Sequence, residues 1–120
     1  MYRINKNQMS FNQITLIGRV GQDPKFFNTK SGSRLATLSI ATTDVRRNIA
    51  TQELIKETQW HKIVILNSKI IPIVEKMVNK GSQIFICGKL QYQKYLDQVK
   101  NETKTSKEIT IKESGHHLIV

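Results

Sequence analysis

The chain of 120 residues is 38% hydrophobic and 23% charged, which suffices for one domain around one core. Its 19 Lys and Arg outnumber its 9 Asp and Glu, and the formal net charge of +10 favours a polyanionic partner, nucleic acid before an anionic membrane surface. No apolar run reaches the ~18 residues of a membrane span, and the single cysteine, Cys87, excludes an internal disulfide.

The first ten residues are polar and contain no apolar segment of the kind that a secretory signal needs. We expect residues 1–10 to form a basic or polar N-terminal arm and residues 11–120 to form the folded domain.

Five segments have the composition and alternation of β-strands, namely residues 13–20, 34–43, 58–66, 82–92 and 107–120, the last of them broken at Gly115. In the second segment, Ala36, Leu38 and Ile40 alternate with more polar residues and are predicted to point into a core. Polar stretches at 44–57 and 93–106 are long for hairpin turns of about 2–5 residues, and we expect these connections to carry function.

One helix is predicted between the third and fourth strands. Ser68 is its predicted N-cap, Pro72 lies in its first turn, and Gly81 ends it. Its core-facing residues are predicted at helical spacing: Ile70, Ile73, Val74, Met77 and Val78. Five strands with one helix between strands 3 and 4 are the order of an all-β OB-fold, a five-stranded Greek-key barrel whose strand face and loops bind oligonucleotides.

Catalytic chemistry is not indicated. His61 is predicted to face away from Trp60, and the neighbouring His116 and His117 point to opposite sides of a strand, so they cannot share a metal. The sequence contains no zinc-ligand spacing and no Walker-type phosphate loop. We therefore predict a protein that is not an enzyme and that needs no cofactor, metal or small-molecule substrate.

Aromatic and basic residues are interleaved on the predicted strands and long hairpins. Trp60 and Lys62 share one strand face, which suits a base and its phosphate, although a strand tryptophan is as often a core residue. The residues predicted to stack on nucleobases are Trp60, Tyr95 and Phe85, with core packing as the alternative for Phe85. The predicted phosphate contacts are Arg34, Arg46, Arg47, Lys56, Lys62, Lys89 and Lys94.

Four segments in order resemble the bacterial and mitochondrial single-stranded DNA-binding protein (SSB) family: 18–24 (GRVGQDP), 38–42 (LSIAT), 58–62 (TQWHK) and 80–89 (KGSQIFICGK). The resemblance implies an OB-fold homotetramer that binds single-stranded DNA without sequence preference in replication, recombination and repair. It implies a stacking role for Trp60 and Tyr95 and a subunit contact for His61. Replication proteins are further candidate partners, a membrane is not, and the implied location is the mitochondrial matrix or the bacterial cytoplasm.

Two departures from the family pattern keep an alternative open. Val45 and Leu66 occupy positions that are usually aromatic in the family, so the stacking surface is expected to be thinner and binding more salt-sensitive. The sequence also ends without the acidic tail of bacterial members, as in a mitochondrial type or the folded core of a longer protein. The alternative is an OB-fold adaptor or structural subunit, similar to primosomal proteins or part of an organellar assembly, with weakened DNA binding.

Overall fold

The computed structural model describes residues 10–112 and 115–120, so almost all of the predicted N-terminal arm lies outside the described residues. The elements in chain order are β1 (Ile14–Val20), β2 (Lys25–Asn28), β3 (Arg34–Arg47), β4 (Leu54–Ile65), α1 (Ile71–Met77), β5 (Gln83–Asp97), β6 (Glu102–Ile111) and β7 (His117–Ile119).

The strands close into a five-stranded barrel. β1 pairs with both β3 and β5, which are the two ends of the order β3-β4-β6-β5, so no edge of this set is left open. β4 and β6 run parallel and the remaining barrel pairs are antiparallel. The helix lies between the third and fourth barrel strands. The predicted OB-fold is therefore confirmed.

Alternation along β3 and β4 supplies much of the core. Ala36, Leu38 and Ile40 of β3 are buried, whereas the residues between them are partly exposed. The same pattern buries Ile63 and Ile65 of β4, and further isoleucines from β5 and β6 complete the interior. Branched side chains suit this position because they pack well on a pleated surface. Cys87 is buried as a free cysteine.

The helix is shorter than predicted and is capped differently. The prediction of Ser68 as N-cap is wrong, because the helix begins at Ile71 and no side chain caps it. The main-chain oxygen of Asn67 accepts hydrogen bonds from the N–H groups of Ile70 and Ile71 instead, at 3.1 and 3.2 Å. The predicted apolar stripe is also incomplete: Val74 and Val78 are buried, but Met77 is 56% exposed although it lies within the helix.

The two polar connections are mostly strand rather than loop. β3 continues to Arg47 and β4 begins at Leu54, so the first hairpin turns within residues 48–53. β5 and β6 likewise extend the second hairpin to Asp97 and Glu102. We call the outer parts of the β3–β4 and β5–β6 hairpins the first and second ribbon. Both faces of each ribbon are largely exposed, so their sequences lack the apolar alternation that indicates a strand. The predicted break near Gly115 is confirmed, since β6 ends at Ile111 and β7 begins at His117.

Candidate nucleic-acid interface

Trp60 lies on the outer surface of the barrel. It pairs with Ala41 of β3, and the neighbouring residues of β4 point the other way, with Ile63 fully buried. The indole is 63% exposed, so the interpretation of Trp60 as a core residue is wrong. A large apolar ring held in solvent on a sheet is available to stack on a planar ligand.

The ladder between β3 and β4 defines one continuous outer surface, called here the Trp60 face. Because residues two apart along a strand share a side, it comprises Ser39, Ala41, Thr43, Val45 and Arg47 of β3 with Leu54, Lys56, Thr58, Trp60 and Lys62 of β4. Three predicted phosphate contacts, Arg47, Lys56 and Lys62, therefore share the tryptophan's side. Lys56 forms no ion pair with any described residue, whereas Arg47 donates to the main-chain oxygen of Gln52 at 2.9 Å.

Lys62 has a partner that the sequence did not indicate. Its Nζ lies 3.6 Å from Oε2 of Glu108 on β6, a carboxylate that is only 9% exposed. The ammonium itself is 55% exposed, so one side of it still faces solvent. The sequence pattern does not show that β6 lies beside β4, so this ion pair is evident only in the folded chain.

A hollow of about 180 Å³ continues the Trp60 face past Lys62 toward β2. Lys25 and Ser39 line it together with Lys62, and Asp23 supplies an acidic group at its edge. Lys25 is thus a further cation that shares this hollow with Lys62, and it was not predicted because the sequence pattern did not indicate β2 as a strand.

Arg46 lies on the side of the first hairpin opposite the Trp60 face. Its Nη2 is 2.8 Å from Oε1 of Glu57, and both side chains are largely exposed. Two adjacent arginines that look equivalent in the sequence therefore face opposite sides, because each step along a strand reverses the side chain.

The second ribbon separates its predicted residues in the same way. Tyr95 is exposed on the outer side, opposite Lys104 of β6, and Lys89 lies on the same side nearer the barrel. Lys94 points to the other side of the ribbon and forms no ion pair with any described residue.

Asp97 braces the end of this ribbon. Its carboxylate lies 2.9 Å from Nζ of Lys104 and accepts hydrogen bonds from the N–H groups of Val99 and Lys100 in the turn. The bond to Lys104, aided by these main-chain donors, lowers the pKa of Asp97 below its usual range. The turn and the ion pair together hold the hairpin that carries Tyr95.

Arg34 lies apart from the other predicted phosphate contacts. Its Nη1 is 3.0 Å from Oε2 of Glu75 on the helix, and its guanidinium stacks over the Phe26 ring at 5.2 Å. Both partners tie this arginine to the helix end of the barrel.

Phe85 is a half-buried ring outside the Trp60 face. It lies in the first half of β5, where β1 pairs along one edge and β7 along the other, and its pairing partners are Ile17 and Ile119. Its ring stacks on His117, with centroids 5.4 Å apart and planes at 18°. The sequence does not indicate this contact, because the pairing of β7 with β5 is evident only in the folded chain.

His61 faces away from Trp60, as predicted, and is half-buried. Its Nε2 lies 2.9 Å from Oγ1 of Thr42 on β3. The ring lines a crevice of about 310 Å³ that opens where β4 and β6 diverge, together with Leu16 and Leu90 among others.

The two departures from aromatic residues also lie at the surface. Val45 is 55% exposed toward the hairpin end of the Trp60 face, opposite Lys56, and Leu66 is partly exposed just past the end of β4. Neither supplies a ring, so Trp60 is the one aromatic side chain that the Trp60 face presents.

Residues 10–112 and 115–120 contain neither a metal-binding cluster nor a membrane-spanning helix. No group of three or more His, Cys, Asp and Glu side chains there could hold a metal ion. No helix in this part of the chain is long and apolar enough to cross a membrane.

Comparisons with known proteins agree with this geometry. The model of the single-strand binding protein family matches residues 11–116. A single-stranded DNA-binding protein of Rickettsia typhi is 37% identical over 111 residues, covering 92% of this chain and 72% of the relative. One from Rhizobium meliloti is 39% identical over 93 residues, covering 78% of this chain and 53% of the relative.

A solved structure is also similar. The Plasmodium falciparum SSB complex with ssDNA superimposes with a TM-score of 0.82 at 34% identity, covering 94% of this chain and 96% of that one. The sequence match and the shared barrel lead to one conclusion: the chain belongs to the single-strand binding protein family.

Proposed function

We propose that this chain binds single-stranded DNA without sequence preference, coating and protecting it during DNA replication, recombination and repair, and that it catalyses no reaction. The observation that carries the proposal is the exposed Trp60 ring beside Lys62 on the outer face of an OB-fold barrel. Every base offers a π-face to such a ring, and each stack is worth about 1–3 kcal/mol. The relatives named above and the DNA-bound Plasmodium falciparum structure support it.

The proposed DNA path follows the Trp60 face and continues to the second ribbon. Trp60 and Tyr95 each stack a base, since both rings are exposed on the outer side of their ribbons. Phe85 is the third predicted stacking residue, and its ring already contacts His117, so a base there would have to displace or extend that stack.

The predicted phosphate contacts divide by position. Arg47, Lys56 and Lys62 lie along the path on the Trp60 face, and Lys89 shares the side of Tyr95. The remaining three, Arg34, Arg46 and Lys94, lie off this path and would contact phosphates where the strand bends around the hairpins or barrel end. We rank the first group above the second because cations near stacked bases meet the phosphates between them.

A homotetramer is proposed as the working assembly. Ile17, Phe85 and Ile119 form one row across β1, β5 and β7 on the outer side, and Ile17 and Ile119 are well exposed. Such an apolar row is suited to burial against a second copy. His61 stays a predicted subunit contact, although its Nε2 already pairs with Thr42 within the chain.

The setting proposed for this activity is the bacterial cytoplasm. The sequence relatives named above are bacterial, which favours this location over the mitochondrial matrix. Replication proteins are proposed as further partners on the same grounds of family membership.

The adaptor function is the second candidate, and Val45 is the observation that favours it. Its aliphatic side chain is exposed on the Trp60 face, and Lys62 is paired with the carboxylate of Glu108. Both features are expected to lower the affinity for single-stranded DNA relative to a face with more aromatic rings and with cations that have no acidic partner.

One binding comparison separates the two candidates. Fluorescence anisotropy of labelled oligo-dT and of duplex DNA of equal length is measured with the full chain across a salt series. The proposed function predicts much tighter binding to oligo-dT, weakening with salt as phosphate contacts are lost. Equal affinity for the two DNAs would favour the adaptor function.

A further inference from the structure

Gly21 lies directly against the edge of the Trp60 ring. A Cβ atom added at Gly21 would come 2.4 Å from Cζ3 and 2.9 Å from Cη2 of Trp60, and 3.2 Å from Oγ of Ser39. Non-bonded carbons approach favourably only to about 3.5 Å. Any side chain at this position would therefore occupy space that the indole now fills.

A positive backbone φ is not the reason for a glycine at position 21. The glycines of the described residues that adopt a positive φ are Gly32, Gly81 and Gly115, and Gly21 is not among them. Its backbone is open to other residues, so the requirement is for the missing side chain. Only a residue without a side chain leaves room for the Trp60 ring at this position.

The main chain under the ring is held firmly. The N–H of Gly21 donates to the oxygen of Ser39 at 2.9 Å, which joins the end of β1 to β3. The preceding residue, Val20, donates to Ser82 at 2.9 Å and accepts from Gly81 at 2.8 Å. Under an added side chain, the exposed indole would therefore move before the backbone did.

We propose that Gly21 is a positioning residue for DNA binding: its bare backbone is the seat that fixes the orientation of the Trp60 ring. An open hollow bounded by Gly21, Gln22, Ser39 and Trp60 adjoins the ring and gives a base access to it. Displacing the ring from this seat weakens stacking without unfolding the barrel. The inference rests on the proposed function, because it concerns how Trp60 meets DNA.

The test is a double-mutant cycle on oligo-dT binding with Gly21→Ala, Trp60→Ala and the double variant. Trp60→Ala is expected to weaken binding by about fivefold to 150-fold, the loss of one stack. Gly21→Ala is expected to weaken it at least about threefold in the wild-type background, with an unchanged salt slope, and to have no effect in the Trp60→Ala background. The tryptophan fluorescence of the Gly21→Ala protein without DNA should also shift relative to wild type, because the surroundings of Trp60 have changed.

Gly32→Ala is the matched control. It adds the same methyl group where nothing lies within 4 Å, although at a φ of +86°, so it is expected to cost stability and to leave DNA affinity unchanged. Wild-type affinity in Gly21→Ala, or an equal loss in both backgrounds, would overturn the inference alone. A wild-type chain that does not bind oligo-dT would overturn the proposed function together with it.

Discussion

Lys62 is expected to contribute to both folding and DNA binding, and the two contributions can be separated. Its ammonium lies 3.6 Å from the carboxylate of Glu108, which is 9% exposed. Coulomb's law at this distance gives about 1 kcal/mol with the dielectric constant of water and about 5 kcal/mol with an effective value of about 20. Because the ammonium is 55% exposed, the pair belongs near the lower value.

Replacing Lys62 with Gln should therefore lower the free energy of unfolding by about 1–2 kcal/mol, since Glu108 is left buried without its partner. The double variant Lys62→Gln/Glu108→Gln should recover most of that loss, because the unpaired carboxylate is gone. Both variants should show the same reduction of about 0.7 in the slope of log affinity against log salt, from one lost phosphate contact with a single strand.

Urea unfolding at one fixed protein concentration measures the stability, and anisotropy titrations in several salt concentrations measure the slope. With a slope of about 2 kcal/mol/M in urea, the midpoint of Lys62→Gln should fall by roughly 0.5–1 M. Lys94→Gln is the control for stability, because Lys94 has no ion pair among the described residues. Equal midpoints for Lys62→Gln and Lys94→Gln, or no recovery in the double variant, would refute the reasoning.

Three further predictions follow from the same geometry. Val45→Phe should tighten oligo-dT binding by up to about 1–3 kcal/mol by adding a ring to the Trp60 face; an unchanged affinity in anisotropy titrations would show that no base reaches that point. Lys56→Gln should lower the salt slope by about 0.7 with no loss of stability, and a full wild-type slope would remove Lys56 from the path. The pKa of Asp97 is lowered by Lys104, so its ion pair should stabilise the fold above the unfolded-state pKa and be lost as pH falls below about 4. Thermal unfolding across that range should show less acid sensitivity in Asp97→Asn, and equal sensitivity would mean that other carboxylates dominate.

The barrel could be predicted because its strands are half-buried. Where one face meets the core, as in Ala36, Leu38 and Ile40, apolar alternation records the strand directly. The two ribbons have no buried face, so their sequences predict polar loops. In the structure, however, the β3–β4 ladder extends to Arg47 and Leu54.

The candidate site was predictable in its residue types and less so in its geometry. The alternation of Trp60 and Lys62 correctly put both on one side, but their exposure depends on what packs against that side. Arg46 and Arg47 could not be separated without the register of the hairpin. Contacts between distant segments, such as Phe85 with His117 and Lys62 with Glu108, are set by which strands become neighbours in the barrel.

The most direct test of the account uses the single tryptophan of the chain as its own reporter. Wild-type protein is titrated with oligo-dT at low salt while Trp60 emission is recorded, and salt is then added to the saturated complex. Stacking on the exposed ring predicts saturable quenching that reverses as salt releases the DNA. Tight binding detected by anisotropy with no change in Trp60 emission would contradict the claim that this ring stacks on DNA.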